Sequence, residues 1–251
     1  MITNAADLPG VAPPRLAELI ASLSLANDLE VGQPLEHVMR AALVAVRLGE
    51  AQGLGEAELA DVYYLALLAY VGCTAEAHVI AEATGNDISN NAMVLPVHYG
   101  GSTEVLGVVL RQLGRGYPVL DRARLIGRAM ATMARQSKAV TVAHCEVGQL
   151  LARQLGFGSS VIEALGQVYE RWDGSGLPRK LKGESIMPTI HVVHVAHDGA
   201  LMYRLGGSAA AISTVRRHAG AAHDPEIAER FCRDADTLLG DAVRGCAGRD
   251  G

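Results

Sequence analysis

Aromatic residues are scarce in this chain. They make up 4% of its 251 residues, with one tryptophan and two phenylalanines. A β-sandwich built on aromatic-rich strands is disfavoured, and the abundance of Ala, Leu and Val favours close-packed helices instead. The four cysteines, Cys73, Cys145, Cys232 and Cys246, form no C-x-x-C pair, so neither a zinc ribbon nor a redox dithiol is expected. Basic residues do not predominate. With 22 Lys and Arg against 27 Asp and Glu, the formal charge is −5, which argues against direct nucleic-acid binding. No apolar run reaches the roughly 18 residues of a membrane span, and no basic segment leads into an apolar one at the start. The expectation is a cytoplasmic protein with no membrane contact. P-loop, nucleophile-elbow and dinucleotide fingerprints are all missing.

Hydrophobic residues account for 49% of the chain and charged residues for 20%, enough to bury a full core. Helical periodicity predicts helices over 15–26, 34–53, 56–71, 103–113, 121–135, 140–155, 159–172, 188–205, 208–219 and 224–239. Residues 56–71 are apolar nearly all round, as a central helix requires. No convincing strand alternation or internal repeat occurs. One helical domain over 15–240 is expected, with a flexible lead-in over 1–14 and a flexible tail over 241–251.

Histidines recur at i+3 spacing as His191, His194 and His197, and His194 forms an i, i+4 pair with Asp198. Such a pair can chelate a transition ion, although a core histidine bonded to backbone has the same sequence appearance. His78, His98, His218 and His223 fall near helix ends or in loops and are read as structural. Arg179, Lys180 and Lys182 are read as a solvated turn.

Residues 170–178 read Glu170, Arg171, Trp172, Asp173, Gly174, Ser175, Gly176, Leu177, Pro178, and are followed by Gly183, Glu184, Ile186 and Pro188. This stretch resembles the signature of the HD-GYP phosphohydrolases, in which two histidines run into Glu-Arg-Trp-Asp-Gly-x-Gly-Tyr-Pro. The resemblance extends over about 33–235. It implies an all-α, HD-domain-like helical bundle with extra C-terminal helices. It also implies a centre of two or three divalent ions held by His and Asp side chains.

Transferred residue by residue, the family's ligands are only partly retained. His37 and His144 match. The His-Asp pair that names the family falls on Ala69 and Tyr70, the paired histidines before the signature on Val168 and Tyr169, and the signature tyrosine on Leu177. The late aspartate falls on His197 or on Asp198, one residue out of register. Without a bridging carboxylate two neighbouring cations repel strongly. The side chains of Tyr70 and Tyr169 are expected to fill the vacated cavity and to hydrogen-bond to His37 or His144.

This pattern leads to the expectation of a catalytically degenerate signalling or regulatory domain that binds a partner or small ligand and needs no cofactor. Its partner would be a protein, or a fused or separate DNA-binding domain, as in bacterial helix-turn-helix regulators whose N-terminal regions look similar. The alternative is a metal-dependent phosphodiesterase acting on cyclic di-GMP or another nucleotide. It would use one Mn, Fe, Ni or Zn ion on His37, His144 and His197 or Asp198. The Ala-rich helices suggest a homodimer.

Overall fold

Ala and Leu, with little to favour strand, dictate helix along most of this chain, and helices joined by turns and loops make up the described residues, which contain no strand. The computed structural model describes residues 15–30, 35–72 and 102–244. The expected lead-in, His78, His98, Cys73, Cys246 and the residues beyond 244 lie outside them.

Helices α1 (Leu16–Glu30), α2 (His37–Gln52) and α3 (Glu56–Leu68) come first, followed by α4 (Ser102–Gln112) and the long α5 (Val119–Gln154). Then come α6 (Ser159–Leu165), α7 (Pro188–His218) and α8 (Pro225–Arg244). Helices α2, α3, α7 and α8 pack on one another and enclose the main core. The all-helical HD-like fold expected from the sequence is the one observed.

Several boundaries differ from those the periodicity predicts: α1 runs on to Glu30 rather than 26, and α3 ends at Leu68 rather than 71. The helices expected over 121–135 and 140–155 are one continuous α5, because the residues between them (Gln136, Ser137, Lys138) are polar without being helix breakers. Helix α6 stops at Leu165 rather than 172, since Gly166 caps it and Gln167 bonds back to Ala164 in a turn. Helix α8 runs to Arg244, four residues into the expected tail. The two helices expected over 188–219 form α7, which is interrupted by non-helical torsions at Gly206 and Gly207.

Helix α2 begins in an unusual way. Its N-cap, Glu36, is left-handed and makes no side-chain cap bond. The buried carboxylate of Asp28, at the end of α1, accepts from the Val38 N–H at 3.3 Å and so serves the exposed donors of α2 from across the gap. This fixes the first turn of α2, and with it His37.

Candidate metal centre

From Ile190 to Leu201 every residue of α7 is buried. A helix buried all round is central to its fold, and this one carries His191, His194, His197 and Asp198 into the interior. Gly199 follows Asp198, and a Cβ there would collide with the Phe231 ring of α8. The absence of that Cβ lets α8 close over the carboxylate.

Asp198 Oδ2 accepts hydrogen bonds from His218 Nδ1 at 2.8 Å and from His223 Nε2 at 2.9 Å, and all three residues are buried. Burial pushes the Asp198 carboxyl up, but the bonds from His218 and His223 more than offset it and hold it below the ordinary carboxylate range. The carboxylate is therefore ionised. One ligand atom from each residue lies within 4.8 Å of the others, close enough that side-chain shifts of a few tenths of an ångström would let a single ion with bonds of about 2.0–2.2 Å reach all three.

The helix end and a tight turn place the two imidazoles. His218 is the last residue of α7, and His223 closes the following turn by donating its N–H to the His218 carbonyl. Asp224 then caps α8 by accepting from the Glu226 and Ile227 N–H groups. The signature loop holds this turn from outside: the N–H groups of Trp172 and Asp173 donate to the carbonyls of Ala222 and Ala221 at 3.2 and 2.8 Å.

That loop is internally braced. Buried Glu170 accepts from the Arg179 and Leu181 N–H groups at 2.7 and 2.9 Å. Asp173 Oδ1 accepts from the N–H and hydroxyl of Ser175, whose hydroxyl also accepts from Arg171 Nε. Gly174 is left-handed, and a Cβ on Gly176 would strike the Glu170–Arg171 backbone. Leu177 donates its N–H to the Tyr169 carbonyl and precedes Pro178 through a cis peptide bond. Trp172 packs edge-on against His191 at 5.1 Å between ring centroids.

At the positions where the HD-GYP resemblance implies ligands, rings and methyls fill the space. Ala69 and Val168 are buried in the core. Tyr70 is buried and meets His197 edge-on at 4.9 Å, while the Tyr169 hydroxyl lies 3.3 Å from His144 Nδ1. His37 faces His197 at 5.8 Å. Burial, helped by His197 and Arg204, pushes His37 down to about 3, so its ring is neutral. His194 Nε2 donates to the Val168 carbonyl at 2.9 Å and His197 Nε2 to the Ala66 carbonyl at 3.1 Å. The positions of the family's name-giving pair hold no carboxylate or imidazole, so they do not fit a bridged pair of ions. The trio of Asp198, His218 and His223 fits one.

His218 and His223, read from the sequence as structural, thus stand at the centre of the candidate site. A buried carboxylate must be paired, and these are the only histidines beyond Asp198 in the chain. That narrows the choice of partners without placing them.

Residues 124–227 match the HD domain family. The match covers about two-fifths of the chain. It is 24% identical over 214 residues to the 3′3′-cGAMP-specific phosphodiesterase 3 of Vibrio cholerae, covering 85% of this chain and 46% of the relative. The crystal structure of a cyclic GMP-AMP-specific phosphodiesterase of V. cholerae superimposes with a TM-score of 0.66 at 22% identity, over 90% of this chain and 50% of that one. The chain spans about half the length of these relatives.

Two expectations are corrected by these findings. The domain was expected to be non-enzymatic because Ala69, Tyr70, Val168 and Tyr169 replace ligands. The relative it matches across most of its length is a phosphodiesterase. No cofactor was expected either, yet the HD-domain match and the buried group of Asp198, His218 and His223 both speak for a metal. His218 and His223 lie outside every motif position and meet Asp198 only in three dimensions. None of the described helices is long and apolar enough to cross a membrane.

Proposed function

We propose that this domain is a metal-dependent phosphodiesterase of the cytoplasm, acting on a cyclic dinucleotide through one divalent ion held by Asp198, His218 and His223. The observation that carries the reading is the convergence of an ionised, buried carboxylate and two imidazoles on one point of the HD-like core. Similarity to a 3′3′-cGAMP phosphodiesterase supports the substrate class.

A divalent ion in such a site supplies Lewis acidity toward a phosphoryl oxygen and lowers the pKa of bound water. The chain's own contribution is to keep the ligand set ready. Asp198 brings a full negative charge. His218 Nδ1 and His223 Nε2 face its oxygen and carry their protons there. To ligate, each ring must present a lone pair at that nitrogen, so loading would release or relocate these protons and affinity would rise with pH. His37, His144 and His197 we assign to the adjoining wall, where Tyr70 packs on His197, Tyr169 on His144, and His37 on His197.

The test is elemental mass spectrometry on protein expressed with Mn, Fe and Zn, followed by assays on 3′3′-cGAMP and cyclic di-GMP. About one ion per chain is expected, with a linear dinucleotide as product, and both should be lost in His223→Ala. An ion content near zero together with no hydrolysis of either substrate would refute the reading.

A further inference from the structure

Charge is distributed unevenly along this chain. Between Arg47 and Arg111 there is no Lys or Arg at all, while the same stretch holds eight acidic residues. Residues 111–138 then hold seven basic residues against one acidic, in a chain whose net charge is −5, so everything outside that segment carries −11.

Among the described residues, four of these acidic groups (Glu50, Glu56, Glu58 and Asp61) lie on α2, α3 and the turn between them, whereas the basic ones lie on α4, α5 and their connection. Helix α4 and the first third of α5 form a hairpin with its own small core of Val109, Leu113 and Ala129, packed with Leu125, Ile126 and Met130 and distinct from the main core. Between Ala129 and Cys145 the side chains described on α5 are exposed or half-buried, none fully buried, so this part of the helix links one core to the other without contributing to either. Helix α5 has 36 residues, or about 54 Å of length. The hairpin is thus an arm. Arg111, Arg115, Arg124, Arg128, Arg135 and Lys138 are exposed on it, and only Arg124 forms an ion pair with a described residue, Asp121. Beside them Leu110, Tyr117, Val119 and Leu120 are 49%, 60%, 83% and 71% exposed. On the main body, the turn from α2 into α3 presents Glu50, Glu56 and Glu58, exposed, with Asp61 beside them. None of these four forms an ion pair with a described residue.

We infer that the arm is a self-association surface, and that its occupant is the acidic α2–α3 end of a second copy of this chain. Complementary patches on one molecule that do not meet within it pair reciprocally across a two-fold axis, each arm on the other's body. The exposed apolar side chains near the arm's tip give that contact a dry centre within a charged rim. A polyanion is the weaker candidate: the −11 carried by the rest of the chain would repel it, and Tyr117 is the only aromatic residue between 102 and 138.

The experiment is sedimentation velocity on the full chain at 50 and 500 mM NaCl, with two charge-reversed variants. One is Arg115→Glu/Arg124→Glu/Arg128→Glu on the arm; the other is Glu50→Lys/Glu56→Lys/Glu58→Lys on the body. The expected result is a dimer at low salt that weakens at least tenfold at high salt and in either variant. Mixing the two variants should restore the dimer, because both contacts of the heterodimer are then complementary. That rescue excludes misfolding as the cause of the loss. A monomer at all concentrations at low salt, a dimer unmoved by either reversal, or a mixture that fails to associate would overturn the inference. So would a monomer that binds labelled duplex DNA or anionic phosphatidylserine vesicles through the arm.

Discussion

Asp198 shows how much a single carboxylate can settle when its surroundings are dry. An unpaired ion at its depth would cost several kcal/mol, so the two imidazoles beside it are required by the fold before any chemistry is considered. Asp198 itself is legible in the sequence as a carboxylate on a histidine-rich helix. Its partners, 20 and 25 residues further on, are not, because a glycine kink and a closed turn bring them back. Asp198→Asn keeps the shape and removes the charge. It should lower stability by about 2–4 kcal/mol and abolish metal uptake, read by thermal melting and elemental analysis. Asp28 tests the other sign. Burial pushes its carboxyl up to about 6 from an ordinary 3.8. The folded state therefore holds this proton more tightly than the unfolded state does. The stability it contributes is complete below about pH 4 and is lost as the pH rises through about 6. The wild-type melting temperature should fall between pH 5 and 7 by the equivalent of about 1 kcal/mol, allowing for partial screening. Asp28→Asn should flatten that slope; an unchanged slope would remove Asp28 as its cause.

At the scale of elements, the signature loop was recognisable from residue types alone, because glycine, proline and tryptophan at fixed spacing specify a backbone path. What the sequence did not reveal is the loop's role as a brace for the His218–His223 turn, which depends on backbone bonds between distant segments. Glu170 holds that brace from inside. Glu170→Ala removes two bonds to part-buried N–H groups and leaves a cavity at a buried position, and should cost about 2–4 kcal/mol. It should also weaken metal retention, measured by competition with a chelator, although Glu170 touches none of the three ligands. Gly199→Ala acts on the opposite wall. The added methyl meets the Phe231 ring, so α8 must shift outward, at a cost of about 1–3 kcal/mol. Alanine at the exposed, left-handed Gly156 would strain only a surface turn and is the control for metal affinity. The fused α5 illustrates a limit of periodicity. Polar residues over 136–138 look like a boundary, yet none of them breaks a helix.

For the whole molecule, the decisive quantity is the linkage between metal and folding. A ligand that binds only the folded chain stabilises it by RT ln(1 + [L]/Kd), about 2.7 kcal/mol at a hundred times Kd. In a domain of this size each kcal/mol moves the melting temperature by about 2–4 °C. Manganese or zinc at that excess should therefore raise the melting temperature of metal-stripped protein by about 5–11 °C, and EDTA should reverse the gain. The sign of the pH effect follows from the ligand set: His218 and His223 must free the nitrogens that now donate to Asp198, so the metal-induced shift should be larger at pH 8 than at pH 6. The increment should vanish in His223→Ala and survive in His144→Ala, since His144 meets Tyr169 rather than the trio. If His144→Ala instead removed the increment and His223→Ala kept it, the ion would sit at the residues the motif singled out, and the buried trio would be a structural clasp.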